Sequence, residues 1–238
     1  VNPPPNLKTL TTKRMKHRSY LLLAAGLVAG PLSQAAIFSV SETLGSGNTI
    51  NDPTDPGLAR VLTVSTPGNQ LTDLSITLDI ASADGNTAWN SDLYVQLSSP
   101  SGVLAVLINR TGLTVGDGNG YGDAGFQVTI NDGAADDIHT YQTVSYTLNG
   151  SGQLTGTWKS DGRADALGGT RSSALAGLLG TDPNGAWTLL VADLGSGNLA
   201  KLNGWGISGT TVPEPGATAA AAGAAALLAA FARRRGRR

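Results

Sequence analysis

Cysteine is absent from this 238-residue sequence, which excludes a disulfide scaffold, a cysteine-ligated zinc site and a thiol nucleophile together. Aromatic residues are scarce at 5% and charged residues at 14%, well below what the surface of a helical cytosolic enzyme carries. Histidine occurs twice, at His17 and His139, and Glu42 is the only glutamate between residues 37 and 211. The glycine-rich stretches at 116–125 and 195–197 lack the Gly-Lys-Ser/Thr ending of a phosphate-cradling loop, so both are expected to be hairpin tips. What the sequence does have is glycine, at 32 positions, among many Thr, Ser and Asn, the composition of an exported all-β protein. The formal net charge of −1 hides a division. Residues 37–211 hold 16 Asp and Glu against six cations (Arg60, Arg110, Lys159, Arg163, Arg171 and Lys201), a balance of −10, and the other ten basic residues lie in the end segments. Such an acidic body offers no basic surface to phosphates, which excludes nucleic-acid binding.

The ends read as addresses. Met15-Lys16-His17-Arg18 is a positive start, Leu21 to Gly30 an apolar run, and Ser33-Gln34-Ala35 a small-residue cleavage site; together they predict a signal peptide over 15–35, removed by signal peptidase. Residues 1–14, with Pro3-Pro4-Pro5, are expected to be a disordered leader or a mis-extended start. At the other end Val212-Pro213-Glu214-Pro215-Gly216 stops the fold, because two prolines remove backbone donors. Ala217 to Ala232 is uncharged and would form a short helix about 24 Å long, followed by Arg233, Arg234, Arg235, Arg237 and Arg238, which the positive-inside rule keeps cytoplasmic. This order of motif, short transmembrane helix and arginine cluster over 212–238 resembles the PEP-CTERM sorting signal of Gram-negative bacteria. The resemblance implies transient inner-membrane insertion, processing by an exosortase, and delivery to the cell envelope, outer surface or extracellular matrix.

Between the ends the pattern has period two. Leu74, Ile76, Leu78 and Ile80 alternate with Asp73, Ser75, Thr77 and Asp79, a half-buried strand. Leu93, Val95 and Leu97 repeat it, turn at Ser98-Ser99-Pro100-Ser101-Gly102, and return through Val103 to Ile108, so 93–108 predicts a hairpin. Further strands are expected at 60–65, 126–130, 144–148, 154–158, 187–193 and 199–208, with a short helix only in 164–179. Short strands divided by Gly/Asn/Asp turns predict an antiparallel β-sandwich over 37–211, with Trp187 and Trp205 in its core.

The spacing of these features resembles the proprotein-convertase P domain (P/Homo B). Asn90-Ser91-Asp92-Leu93, the Ser99-Pro100-Ser101-Gly102 turn, Gly180 to Trp187 through Gly185, Val191-Ala192-Asp193 and Leu202-Asn203-Gly204-Trp205 carry the likeness, and Phe126 to Asp137 resembles the linker of bacterial members. It spans about 58–210 and implies a jelly-roll-like sandwich. Members often carry a histidine before the Asp-Leu strand; here Ala88-Trp89-Asn90 stands in its place, so no role passes to it. In that family a subtilisin-like catalytic domain normally precedes the module, and the stretch before the first matched strand is too short to hold one.

Catalysis finds little support. A nucleophile–base–acid set needs histidine, and His139, in the polar run Asp136-Asp137-Ile138-His139-Thr140, is expected on an exposed loop as an ordinary surface residue. No Gly-x-Ser-x-Gly elbow is present; Gly169-Thr170-Arg171-Ser172 is only superficially similar. Paired carboxylates for glycoside hydrolysis are not evident. Calcium is the one candidate cofactor: Asp117, Asn119 and Asp123 place three oxygen-bearing side chains on a glycine-rich loop, with Asp132, Asp136 and Asp137 close behind, but the ending Glu of a helix–loop–helix site is missing. The expectation is therefore a non-enzymatic, exported β-sandwich with a structural, adhesive or polysaccharide-associated role. The alternatives are a trans-acting accessory P domain of a subtilisin-like serine endopeptidase and a carbohydrate-binding jelly roll.

Overall fold

The computed structural model describes residues 35–46, 48–51, 56–85, 87–213 and 215–236, with the side chains of 215–222 set aside. The leader over 1–14, the signal peptide up to Gln34, Glu214 and the last two arginines lie outside the described residues. Ten strands follow in chain order: β1 (Ala36–Thr43), β2 (Thr49–Ile50), β3 (Leu58–Val64), β4 (Gln70–Ser82), β5 (Leu93–Ser98), β6 (Leu104–Asn109), β7 (Gly125–Ile130), β8 (Leu154–Trp158), β9 (Gly185–Asp193) and β10 (Ala200–Val212). They form two sheets, a larger one ordered β1-β10-β4-β7-β8 with β2 also on β10, and a smaller one ordered β3-β9-β5-β6. The all-β sandwich expected from the sequence is what the chain adopts.

Alternation decides which face turns inward. Leu74, Ile76, Leu78 and Ile80 of β4 are buried against Leu93, Val95 and Leu97 of β5 and Trp187, Leu189 and Val191 of β9, while Asp73 and Thr77 face out and Ser75 and Asp79 lie half-covered between. Trp187 is fully buried and Trp205 is 2% exposed; each finds an acceptor for its indole N–H, Pro183 O at 2.8 Å and Glu42 Oε1 at 2.7 Å. A buried indole needs such a partner, since an unpaired donor in the core is costly.

The edge of the sandwich is closed by charge. Glu42 of β1 accepts from Arg60 of β3 through both oxygens, at 3.1 and 2.8 Å, and so ties the edge strands of the two sheets together. This bidentate pair holds the Glu42 carboxyl below its ordinary range, with burial opposing and the Trp205 N–H assisting.

Several sequence expectations are corrected. Residues 144–148 form no strand: Val144 and Tyr146 are exposed, and only Leu148 makes an isolated bridge, to Leu154. The short helix expected within 164–179 is present as the 3-10 segment Leu175–Leu178. The stretches 116–125 and 195–197 are not hairpin tips, because β6 and β7, like β9 and β10, belong to different sheets and these loops carry the chain across the sandwich. Strands β7 and β8 pair in parallel, so the sheets are not wholly antiparallel. After Pro213 the chain forms α1 (Pro215–Arg235), which ends in Arg233, Arg234 and Arg235. Among the described residues no helix is long and apolar enough to cross a membrane; the side chains of the first part of the Ala217 to Ala232 run are not among those described.

Candidate functional site

His139 is not on the surface. It is 5% exposed, in a 3-10 segment (Ile138–Thr143) capped by the Asp137 carboxylate, which accepts the His139 N–H. Its Nδ1 lies 2.7 Å from Asp161 Oδ2 and its Nε2 lies 3.2 Å from Leu113 O. A carboxylate and a carbonyl can only accept, so the pair favours the form of the ring that donates from both nitrogens, the imidazolium. Burial works against that charge, but Asp161 outweighs it and the pKa is raised. Asp161 is fully buried and is further held by Arg163 Nη1 at 3.1 Å and the Asn109 N–H at 3.2 Å. Arg163 reaches on to Asp137 at 2.6 Å, and Arg171 to Asp132 at 3.1 Å and Asp137 at 3.7 Å. Three cations thus meet three carboxylates. An imidazolium with both N–H groups engaged has no lone pair to accept a proton, so His139 cannot act as a general base in this arrangement.

The network does structural work. It pins the irregular segments 131–143 and 159–176, where Asp132 takes the N–H groups of Ser160 and Ala176 and the Ser160 hydroxyl takes that of Leu175. The pinned chain then runs beside β6: Asp161 and Gly162 donate to Leu107 and Val106, and Val106 donates to Ser173. The outer edge of β6 is covered in this way, and its backbone groups are satisfied.

Asp117, Asn119 and Asp123 occupy one loop, but they are engaged separately. Asp117 Oδ1 accepts the Asn119 N–H at 3.0 Å, and Asn119 O accepts from Trp89 Nε1 and the Ser91 hydroxyl. Asp123 Oδ2 accepts from the Tyr141 hydroxyl and from Gln142. Burial and Asp123 push the Tyr141 hydroxyl upward. Among the described residues no three His, Cys, Asp or Glu side chains group as a metal site would require; Asp136 stays outside the ion-pair network.

A different surface has the shape of a binding site. The outer face of the larger sheet is a groove of about 760 Å³. On this face the register sets one row, Ser41, Gly206, Thr77, Thr129 and Thr157, and a second beside it, Thr43, Gly204, Asp79, Gln127 and Thr155; all but Gly206 and Thr155 line the groove. Asp79 Oδ1 accepts from Gln153 Nε2 at 3.0 Å and Asn203 Nδ2 at 3.1 Å. Its Oδ2 has no partner among the described residues.

The motif turns close on one another. Val103 and Gly102 N–H groups bond Ser99, at its hydroxyl (3.1 Å) and carbonyl (2.9 Å), with Gly102 at φ +80°. Gly185 sits at φ +127°, where a Cβ would come within 3.0 Å of Pro100. Asp92 O takes the Leu194 N–H at 2.7 Å and Asp193 Oδ1 the Gly195 N–H at 3.1 Å, joining the start of β5 to the end of β9. A family model of the proprotein convertase P-domain matches residues 71–208, more than half of the chain. The chain belongs to that family. No curated protein matches the sequence. Among solved structures the P domain is similar to the Aeromonas sobria serine protease in complex with its chaperone (ORF2), at 12% identity and TM-score 0.43, over 78% of this chain and 28% of that one. It is similar too to the serine protease of Aeromonas sobria alone, at 14% identity and TM-score 0.41, over 76% and 28%. The chain therefore spans under a third of the length of those proteins.

In this P domain Asn90, in the Ala88-Trp89-Asn90 stretch ahead of the Asp-Leu strand, is fully buried. It donates to Gly125 O (3.2 Å) and the Tyr141 oxygen (3.1 Å) and accepts the Gly125 N–H (2.7 Å), a purely structural use. The residue that sequence reading missed is Asp161. Its one signal was Asp161-Gly162-Arg163, an acid and a base two apart in an acidic body with few cations.

Proposed function

We propose that this P domain is an exported accessory module of a subtilisin-like serine endopeptidase, lending packing surface to a catalytic domain rather than doing chemistry itself. The observation that carries the reading is the family match across both sheets. The closed ring of partners around His139 agrees with it, because the one histidine of the sandwich is spent on structure. The reading displaces a purely adhesive or envelope-structural role as the first choice. The PEP-CTERM route belongs to the same proposal: Val212 ends β10, Pro213 breaks the ladder, and the arginines close α1. That order suits a folded cargo with a detachable address.

The test is direct. The exported chain is mixed with a subtilisin-like catalytic domain of the same organism, and the catalytic domain's melting temperature and autolysis rate are followed. Complex formation with raised melting and slower autolysis is expected. Two species that pass independently through a sizing column at tens of micromolar, with unchanged autolysis, would refute the accessory role.

A further inference from the structure

The groove on the outer face of the larger sheet takes no part in the protease-accessory reading, and its chemistry is of one kind. Its lining presents hydroxyls, side-chain amides and the Asp79 carboxylate, with no lysine or arginine. Glu42 shares its face with Trp205 and Leu78 and turns its carboxylate away from the groove, to Arg60 of the opposite sheet. Asp79 is held by two neutral amides, which orient the carboxylate without cancelling its charge. Anionic ligands are disfavoured in such a groove, because nothing there compensates a second negative charge. An extended peptide is also a poor fit. Peptides that pair with sheets do so at an edge, through free backbone groups, and here the ladder bonds of β10, β4 and β7 are all spent within the sheet. Nor is there a pocket for apolar side chains, since Leu78, Val128 and Trp205 lie buried beneath the lining.

We propose that this groove binds a neutral glycan chain laid across the strands, with Asp79 as its fixed acceptor. Neighbouring strands stand ~4.8 Å apart, so each row presents five positions over about 19 Å. Gly204 leaves backbone as the floor between β1 and β4, and Thr77, Thr129 and Gln127 stand along the wall. Sugar hydroxyls both donate and accept, which matches hydroxyl and amide groups that do the same. Among the described residues Asp79 Oδ2 has no partner to give up, and its orientation is set before the ligand arrives, which lowers the ordering cost of binding. The volume lies within the usual range for ligand sites. No exposed aromatic ring lines the groove, so affinity comes from hydrogen bonds alone and fast-exchanging binding is expected.

The exported full chain is titrated by calorimetry and by amide chemical shifts with the neutral hexasaccharides cellohexaose, xylohexaose and mannohexaose, and with hexagalacturonate as an anionic counterpart. At least one neutral hexasaccharide is expected to bind, moving the amides of β4, β7 and β10, while hexagalacturonate does not. Asp79→Asn, which can still accept from Gln153 and Asn203, is expected to weaken binding tenfold or more. Gln127→Ala, at an exposed position, is expected to weaken it severalfold; both variants should keep the parent melting temperature. Absence of binding by every neutral hexasaccharide, stronger binding of hexagalacturonate, or undiminished affinity in both variants overturns the proposal. Because the protease-accessory test reads association with a catalytic domain, either idea can fail without the other.

Discussion

At His139 the direction of the pKa shift becomes a stability statement. The imidazolium is buried with Asp161, and its raised pKa means that the folded state binds the proton more tightly than the unfolded chain. The stabilisation is therefore complete below the unfolded value of about 6.5 and is lost as pH rises through the higher folded value. Melting temperature should fall as pH climbs from ~6.5 into the alkaline range, and imidazole resonances should titrate late. Asp161→Asn removes the acceptor that holds the imidazolium and Arg163, and stranding buried cations costs about 3–5 kcal/mol. That variant should also lose the alkaline slope. A wild-type melting temperature that climbs over the same range would show that the ring is neutral in the fold. The expectation of a surface histidine failed for a specific reason. Polar neighbours on both sides of His139 suggested solvent, but Asp137 is spent as a cap and as a partner to Arg163, and the real partner lies 22 residues away. No local spacing announces a pair made by two loops meeting over β6.

At the scale of elements, the strands with clean alternation were legible because one face of each is core: β4, β5, β9 and β10 follow directly from their period. Strand β1 was not anticipated. Its apolar residues are few, and its place is set by the ladder to β10 and by Glu42 holding Arg60 and Trp205, which are long-range partners. The run 144–148 alternates as a strand would, but Tyr146 packs edge-on against Tyr141 at 5.4 Å, so local aromatic packing won over pairing. The groove was not legible at all, because it depends on register: Thr77, Thr129 and Thr157 share a row only through pairings between strands distant in sequence. Trp187 is the element-scale test. It fills the space between β9 and the facing sheet with no exposure, and truncating such a residue costs about 3–5 kcal/mol. Trp187→Ala should lower the unfolding free energy by that amount, read as a lower urea midpoint at an unchanged m-value, or fail to accumulate in soluble form; a variant with parent stability would place the indole outside the core.

On the scale of the whole molecule, the two sheet faces differ in chemistry. The outer face of the smaller sheet carries Ala59, Val61, Leu190, Gln96 and Leu104, with no charged side chain among them, and the larger sheet turns its polar groove the other way. On the two proposals above, the P domain would meet a protein surface on one side and water or glycan on the other. If the tail is the sorting signal proposed above, it lies outside both sheets: β10 ends at Val212, and α1 begins at Pro215. Removing α1 breaks no ladder bond, because the last paired residue of β10 is Val212, against Gln70. Processing at the Pro213-Glu214-Pro215 motif should therefore leave the sandwich as stable as before, with the same melting temperature before and after the cut. Intact-mass measurement of the exported protein should find a chain that begins near Ala36 and ends close to that motif, and deletion of the exosortase should retain the longer form in the membrane fraction. An exported chain that still carries Arg233, Arg234 and Arg235, at the same level with and without exosortase, would show that the tail is not a sorting signal.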